Sequence, residues 1–429
     1  MAQICDRIHL QLLLDVEVAL AVAAADAGIV PSSCLPDIQA AATAENFDCA
    51  ALSTAAETDG NIVIPLVKAL TAAVAARNPE SARHVHRGAT SQDIMDTALV
   101  LQLRAAGSDL RQSLTHIMQG AAMLARTHAS SPMPGRTWLQ HASPTTFGLK
   151  AAGWLDMVGR SRDRLEDAIH AALVVQLGGA AGTLASLGSD GPKITDAFAR
   201  HLKLSVPAMP WHTHRDRIAH VAAALGIVCG GLGKIGRDLT LLAQSEVAEA
   251  IDAGGGGSSS MPHKQNPVRA VTAIAMATRA PGLVATMLAA MPQEHERAAG
   301  GWQAEWATLS DLLSVTRQSA AAIGAALGDL RVDAAAMREH LEMRGGVAMA
   351  EALSTALAAR ISRTEAMSVV ERLVRSAEPT RRSLRDVAVA DADVLRWLAP
   401  ADIERALSPE NFLGSANLFV EQVLQRWAV

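Results

Sequence analysis

The chain has 429 residues, half of them apolar and 19% charged, with a formal net charge of −5, a composition that excludes a disordered protein and leaves ample material for a large core in two or three domains. Aromatic residues make up only 3% and Tyr is absent, so the apolar volume is aliphatic and much of it is Ala, which favours helix over strand. The mixed charges offer no global field for DNA, RNA or an anionic membrane, so an anionic ligand must be held by local cations.

The N-terminal MAQICDRIH carries charge before any apolar run and does not read as a signal peptide. Cys5, Cys34, Cys49 and Cys229 are scattered without a CxxC pair, as expected of reduced thiols serving as small core residues. Apolar residues recur at three and four along almost every long segment, which predicts an all-α fold. The first helix is expected from about Asp6 to Ala27, with Leu10, Leu13, Leu14, Val18 and Leu20 on its buried side and Gly28 and Pro31 ending it. Longer patterns run from Phe147 to Leu177, from Asp216 to Asp252, from Pro267 onward, and from Trp302 to Leu327. The Asp216 pattern alone covers about 37 residues, or about 55 Å of helix.

Rods of this length imply a bundle of similar rods. Gly226, Gly230, Gly231, Gly233 and Gly236 inside one of them predict close helix–helix approach as compensation for their poor propensity. The uncharged run Ala168–Ser189 is about membrane length, but His170, Gln176 and Gly178-Gly179 interrupt it, and the chain is expected to be soluble and cytoplasmic. Denser charge after about Glu342 suggests a small C-terminal domain, giving 1–93, 94–341 and 342–429 as the expected domains. GGAAG at 178–182 lacks the Lys-Ser/Thr of a phosphate loop and is expected to be a turn between helices. The pairs His84/His86 and His212/His214 stand two residues apart without the companions of a zinc site, so no metal is expected. No nicotinamide or flavin fingerprint is present, and no cofactor is expected.

The most informative segment is GGGGSSSMPHKQNP, Gly254 to Pro267. Four glycines form a hinge that moves with little strain. Asn266 and Pro267 are a natural N-cap and first helical residue, so a helix should start there. Its dipole and Lys264 would favour an anion beside the serines and make a hydroxyl easier to ionise.

Gly257 to Asn266 match G-S-S-x-M-P-x-K-x-N, and on these residues the chain resembles the fumarase/aspartase superfamily. Three more segments extend the resemblance. His86–Asp93 (HRGATSQD) looks like the first signature region, and without the family it would read as a Ser/Thr turn capping a helix from about Asp93. Arg136–His141 with Pro144–Gly148 looks like the second region. Arg215-Asp216-Arg217 resembles the RDR of the adenylosuccinate lyase branch, with a surface ion pair at a helix start as the competing explanation. GNIVIPLVKAL (60–70), RTWLQ (136–140), PWHT (210–213) and GGWQAEW (300–306) are similar to the 3-carboxy-cis,cis-muconate cycloisomerase branch in particular.

The resemblance implies three helical domains, a central bundle completed in a homotetramer, and active sites shared between subunits that act on a small polycarboxylate. It implies Ser259 as the proton-moving hydroxyl, with Ser258 and Ser260 as neighbours that could take the role. It further implies Lys264 and Asn266 around the enediolate, Thr90 and Ser91 on a second carboxylate, and Arg215 in substrate binding.

One departure bears on the chemistry. The lyases read R-T-H in the second region, and this chain has Trp138 in place of that His. An indole cannot act as a general acid. A departing amine or hydroxide needs one, whereas a carboxylate, whose conjugate acid has a pKa of about 4, does not. Trp138 therefore favours intramolecular lactonisation of a muconate over fumarate release, and it is expected to line the substrate site. His141 is the available substitute acid; a structural hydrogen-bonding role is the other reading. The alternatives are a fumarate-releasing lyase of the same superfamily that uses His141, and a non-catalytic helical oligomer that keeps the fold.

Overall fold

The computed structural model describes residues 6–428 except 258, 262 and 263. Cys5, Ser258 and His263 therefore lie outside the described residues. The fold is all-α, with four short strands among the described residues. Its elements are α1 (Arg7–Asp26), α2 (Leu35–Ala41), α3 (Cys49–Asp59), α4 (Val63–Ala75), α5 (Pro79–Ala82), α6 (Ser91–Thr127), β1 (Pro132–Thr137), β2 (Gln140–Thr146), α7 (Phe147–Ala172), α8 (Gly191–Leu202) and α9 (Asp216–Leu242). There follow β3 (Ala250–Asp252), α10 (Val268–Ala289), α11 (Gly301–Gly328), β4 (Leu330–Val332), α12 (Ala334–Gly346), α13 (Ala350–Ala358), α14 (Arg363–Thr380), α15 (Leu384–Ala390), α16 (Ala392–Trp397), α17 (Pro400–Ala406) and α18 (Ala416–Arg426). The chain divides into two compact units, one of residues 6–112, 163–229 and 277–317, the other of the remainder.

In the first unit α1 forms as its sequence predicts. Asp6 caps it by accepting the His9 N–H at 2.7 Å, and Leu10, Leu13, Leu14 and Val16 are fully buried. They pack with Leu66, Leu70, Val74, Ile94, Ala98, Ile194 and Phe198 in one apolar cluster, where each large side chain contributes about 1.5–3 kcal/mol on leaving water. α7 stops at Ala172, five residues short of the expected Leu177. β-branched Val174 and Val175 leave the helix and pair with Ser205, whose carbonyl accepts the Val175 N–H at 3.0 Å. The GGAAG segment is a turn, as expected.

The second unit holds the two antiparallel strand pairs, β1 with β2 and β3 with β4. α9 ends at Leu242 rather than Asp252, so it is 27 residues, about 40 Å long. Residues 243–248 turn, with Ala248 in the left-handed region at φ +47°, because Glu249 must be delivered to a buried ionic cluster described below. The helix after the glycine loop begins at Val268. Asn266 does not cap it: its backbone exchanges hydrogen bonds with Gly256 at 2.7 and 3.1 Å, and the Pro267 carbonyl accepts the first helical bond. Within this unit α13 to α17 bury a separate core that includes Leu353, Leu357, Val370, Leu373, Val387 and Ile403.

α1, α9 and α10 are long and apolar enough to cross a membrane by length and composition alone. The first two bury 56% and 61% of their apolar window, α10 only 17%. Of the α9 glycines, Gly226 and Gly236 both approach α10 closely: a Cβ would lie 2.6 Å from a Val284 methyl at Gly226, and 2.8 Å from the Ala270 backbone carbonyl at Gly236, where a side chain is forbidden. Gly230 has open space around it. Gly236→Ala is expected to lower stability by about 1–3 kcal/mol through overpacking, despite the better helix propensity of Ala. Chemical denaturation of the purified variant checks it.

Candidate active site

In the first unit the Thr90-Ser91 turn is held from below by Asp93. This carboxylate is completely buried and accepts the Thr90 N–H at 2.9 Å, the N–H groups of Gly178 and Gly179 at 2.9 Å each, and His212 Nε2 at 2.7 Å. Gly178 has no room for a side chain, since a Cβ would sit 2.7 Å from the His212 ring. The GGAAG turn thus serves as a donor pair for Asp93. Arg297, which the sequence reading did not single out, donates to Gln92 Oε1 at 3.0 Å and to the Ala180 carbonyl at 2.9 Å.

Arg215 is not where a substrate ligand or a surface ion pair would be. It is 2% exposed and lies between two buried carboxylates. Nη1 and Nη2 donate to Asp96 at 2.7 and 3.1 Å, while Nε and Nη2 donate to Glu305 at 3.0 and 2.6 Å. The guanidinium also stacks over the Trp211 ring at 5.0 Å, and Trp302 Nε1 donates to Asp96 at 3.1 Å. Burial pushes the Glu305 carboxyl up, against the pull of Arg215. With its donors committed in this way, Arg215 is a structural tie rather than a substrate-binding residue.

In the second unit β1 and β2 meet at a two-residue turn, Trp138-Leu139, between the paired Thr137 and Gln140. Both residues are left-handed, at φ +53° and +63°, as a type I′ hairpin requires and as Asn-Gly would satisfy more easily. Each such residue costs about 1–2 kcal/mol. The turn holds the Trp138 side chain 97% exposed and Leu139 72% exposed. Behind it Arg136 grips the fully buried Glu249 with two hydrogen bonds of 2.8 and 2.6 Å, a charge-assisted fork with strong directional preference.

His340 on α12 donates through Nδ1 to the same carboxylate at 2.6 Å. His141 projects from β2 with its ring 6.3 Å from that of His340, tilted by 48°. Partial burial, with the positive field of Arg136 and His340, lowers the His141 pKa against the opposing charge of Glu249, which favours the neutral imidazole. Glu249 and His340 were missed because sequence spacing carries no sign of a pairing across 113 or 91 residues.

The glycine loop is anchored at its stem. Buried Asp252 accepts Arg269 Nη1 and the Gly254 N–H, both at 3.1 Å, and Arg269 also bonds Asp329 at 2.6 Å. A Cβ at Gly254 would lie 2.4 Å from the Arg269 guanidinium, so a side chain there would displace that group. Beyond the Gly256–Asn266 pairing, Ser259, Ser260 and Lys264 are exposed, and the Lys264 N–H closes a turn on the Met261 carbonyl at 3.0 Å. The Asn266 amide donates to the Gly257 carbonyl at 3.3 Å. The structure thus places Ser259, Lys264 and Asn266 on one loop, Trp138 and His141 on one hairpin, and Thr90 with Ser91 on one turn.

His86, at φ +56° just before that turn, donates or accepts through Nδ1 with buried Glu17 at 2.6 Å. Burial opposes its charged form, but Glu17, by charge and hydrogen bond, raises the pKa overall. A raised folded-state value means that the pair's contribution is fully present below about pH 6.5, the unfolded value, and is lost as pH climbs through the folded value. Wild type should therefore exceed His86→Gln in unfolding free energy by about 1.5–3 kcal/mol at pH 5.5 and by less at pH 9. Urea titrations at the two pH values measure it.

A family model described as "Lyase" matches residues 1–282, and one described as "Adenylosuccinate lyase C-terminus" matches residues 346–423. A protein of Bradyrhizobium diazoefficiens named 3-carboxy-cis,cis-muconate cycloisomerase is 47% identical over 98% of this chain and 94% of its own. A protein of the same name from Pseudomonas aeruginosa is 49% identical over 98% and 92%. The crystal structure of 3-carboxy-cis,cis-muconate lactonizing enzyme from Pseudomonas putida superposes with a TM-score of 0.95 at 45% identity, covering 99% of this chain and 96% of that one. On the signature loop, the fold and these likenesses, the chain belongs to the lyase family, the fumarase/aspartase superfamily.

Proposed function

We propose that this chain is a cycloisomerase that interconverts 3-carboxy-cis,cis-muconate and 4-carboxymuconolactone, a step of protocatechuate degradation. The observation that carries the reading is Trp138: an indole stands at the hairpin turn where the lyases of the superfamily keep an acid. The names of the near-full-length relatives agree with it.

In ring closure a carboxylate oxygen of the substrate bonds to an alkene carbon, and the electron pair of the double bond moves toward a second carboxylate as an enediolate. Ser259 delivers its hydroxyl proton to the carbon beside that carboxylate, completing the lactone, and its oxygen regains a proton from water before the next turnover; in ring opening the Ser259 oxygen, having first given its proton to water, takes the proton from carbon. The attacking or leaving group is a carboxylate and needs no acid. Lys264 and Asn266 stabilise the enediolate charge, where preorganised donors supply the largest catalytic term. Thr90 and Ser91 hold another carboxylate, and Trp138 packs against the carbon skeleton. His141 exchanges protons from the hairpin side. Holding nucleophile and alkene in one folded substrate makes the step intramolecular and favourable in entropy.

The reading includes a soluble cytoplasmic homotetramer with active sites assembled from several chains, organised as domains 1–93, 94–341 and 342–429. It draws support from α10, whose mean hydropathy of 1.4 goes with only 17% burial in one chain, and from the exposed Trp138-Leu139 turn. The competing reading, a lyase that releases fumarate from a succinyl-amine, is favoured by the C-terminal family match and would require His141 as acid.

Purified protein should remove the ultraviolet absorbance of the muconate diene, and Ser259→Ala should lower kcat by about 10²–10⁴ with little change in the unfolding midpoint. No loss of absorbance at high enzyme concentration rejects the cycloisomerase. An unimpaired Ser259→Ala would point instead to another hydroxyl or, with wild type equally inert, to a non-catalytic oligomer.

A further inference from the structure

The second unit holds a cation that the proposed reaction does not use. α7 starts where the buried Thr146 hydroxyl accepts the Leu149 N–H at 3.0 Å, and its first turns set Lys150, Gly153, Trp154 and Met157 along one face. With Thr145 of β2 and Lys234 of α9 they line a cavity of about 320 Å³. Gly153 keeps it open, since a Cβ there would meet no atom within 4 Å. The charges around this cavity do not balance. Asp238 of α9 accepts the indole N–H of buried Trp154 at 2.7 Å and pairs with Lys234, both through Oδ2. Lys150 is half-buried and makes no hydrogen bond or ion pair among the described residues. Two ammonium groups thus share one carboxylate, and the next carboxylate, Glu249, is already taken by Arg136 and His340.

We propose that this cavity binds a small free carboxylate, with the Lys150 ammonium as its counter-charge, the Thr145 hydroxyl as a second donor, and Leu149 and Met157 against its carbon chain. The site goes beyond the reaction proposed above and does not depend on it. An ammonium drawn partly out of water without a partner is unfavourable, and the positive end of the α7 dipole beside it adds to the demand for an anion. One surplus positive charge, one hydroxyl and an apolar wall match a singly charged head on a short hydrocarbon chain; a phosphate dianion would bring one negative charge too many. Burial lowers the Lys150 pKa against the pull of Asp238, with Lys234 and Arg136 adding to the fall and Glu249 opposing it. An anion in the cavity would reverse that shift.

The experiment measures acetylation of Lys150 by trace acetic anhydride at about pH 8, where only the neutral amine reacts. Labelling is read by peptide mass spectrometry on the full-length protein, with exposed Lys203 as the internal reference. An anion that holds Lys150 charged should slow its labelling about ten-fold or more. Saturating glutarate should produce that slowing, whereas glutaramide, or sodium chloride at matched ionic strength, should not. Gly153→Leu, which fills the cavity, should abolish the effect of glutarate; Thr145→Val, which removes only the hydroxyl, should weaken it and serves if Gly153→Leu fails to fold. The proposal is overturned if glutarate leaves Lys150 labelling of wild type unchanged, or protects folded Gly153→Leu equally. It is also overturned if Lys150 is protected without glutarate and becomes reactive on dilution, since the acid would then be a side chain of a second copy of this chain. None of these readings involves turnover, so they are decided separately from the cycloisomerase reaction.

Discussion

One guanidinium holds the first unit to its register. Arg215, at the threshold of α9, lies between two buried carboxylates, Asp96 of α6 and Glu305 of α11, and so ties three of the longest helices at one point. A Lys could not replace it, because an ammonium lacks the planar fork that serves both partners. Two carboxylates against one cation leave excess negative charge at a buried site. Burial accordingly pushes Glu305 toward the protonated form, whereas Arg215 is held charged by its partners.

The network extends by shared atoms rather than by proximity alone. Gln92 donates to Asp96 and to the His212 carbonyl and accepts from Arg297; His212 in turn bonds Asp93, which carries Thr90 and the glycine turn. Buried polar chains of this kind are stable only when every member is satisfied. Here that requirement links the packing of the helices to the turn proposed to bind a carboxylate.

Much of this was legible in the sequence, for identifiable reasons. The helices of the fold declared themselves because burial of one face repeats every three to four residues, and α1 begins and ends close to its expected limits. The glycine loop was legible because its residues carry local chemistry. Helix ends were less so. α9 stops ten residues early because Glu249 is needed elsewhere, and Asn266 pairs with Gly256 instead of capping α10; both outcomes are set by partners distant in sequence. The same limit hid His340 and Arg297, and it made Arg215 look like a binding residue, since an RDR triplet says nothing about the two carboxylates waiting on other helices.

The hairpin brings the chemical argument to a single point. A strained turn displays an indole, a buried carboxylate fixes the arginine and the histidine behind it, and a second histidine stands alongside. Such a surface suits a reaction in which one proton moves and the departing group is already stable as an anion. The most direct measurement is nuclear magnetic resonance of the product formed from 3-carboxy-cis,cis-muconate in deuterated water. The account predicts 4-carboxymuconolactone with a single deuterium on the carbon beside a carboxylate. Unchanged muconate, together with fumarate appearing from adenylosuccinate in a parallel sample, would contradict it.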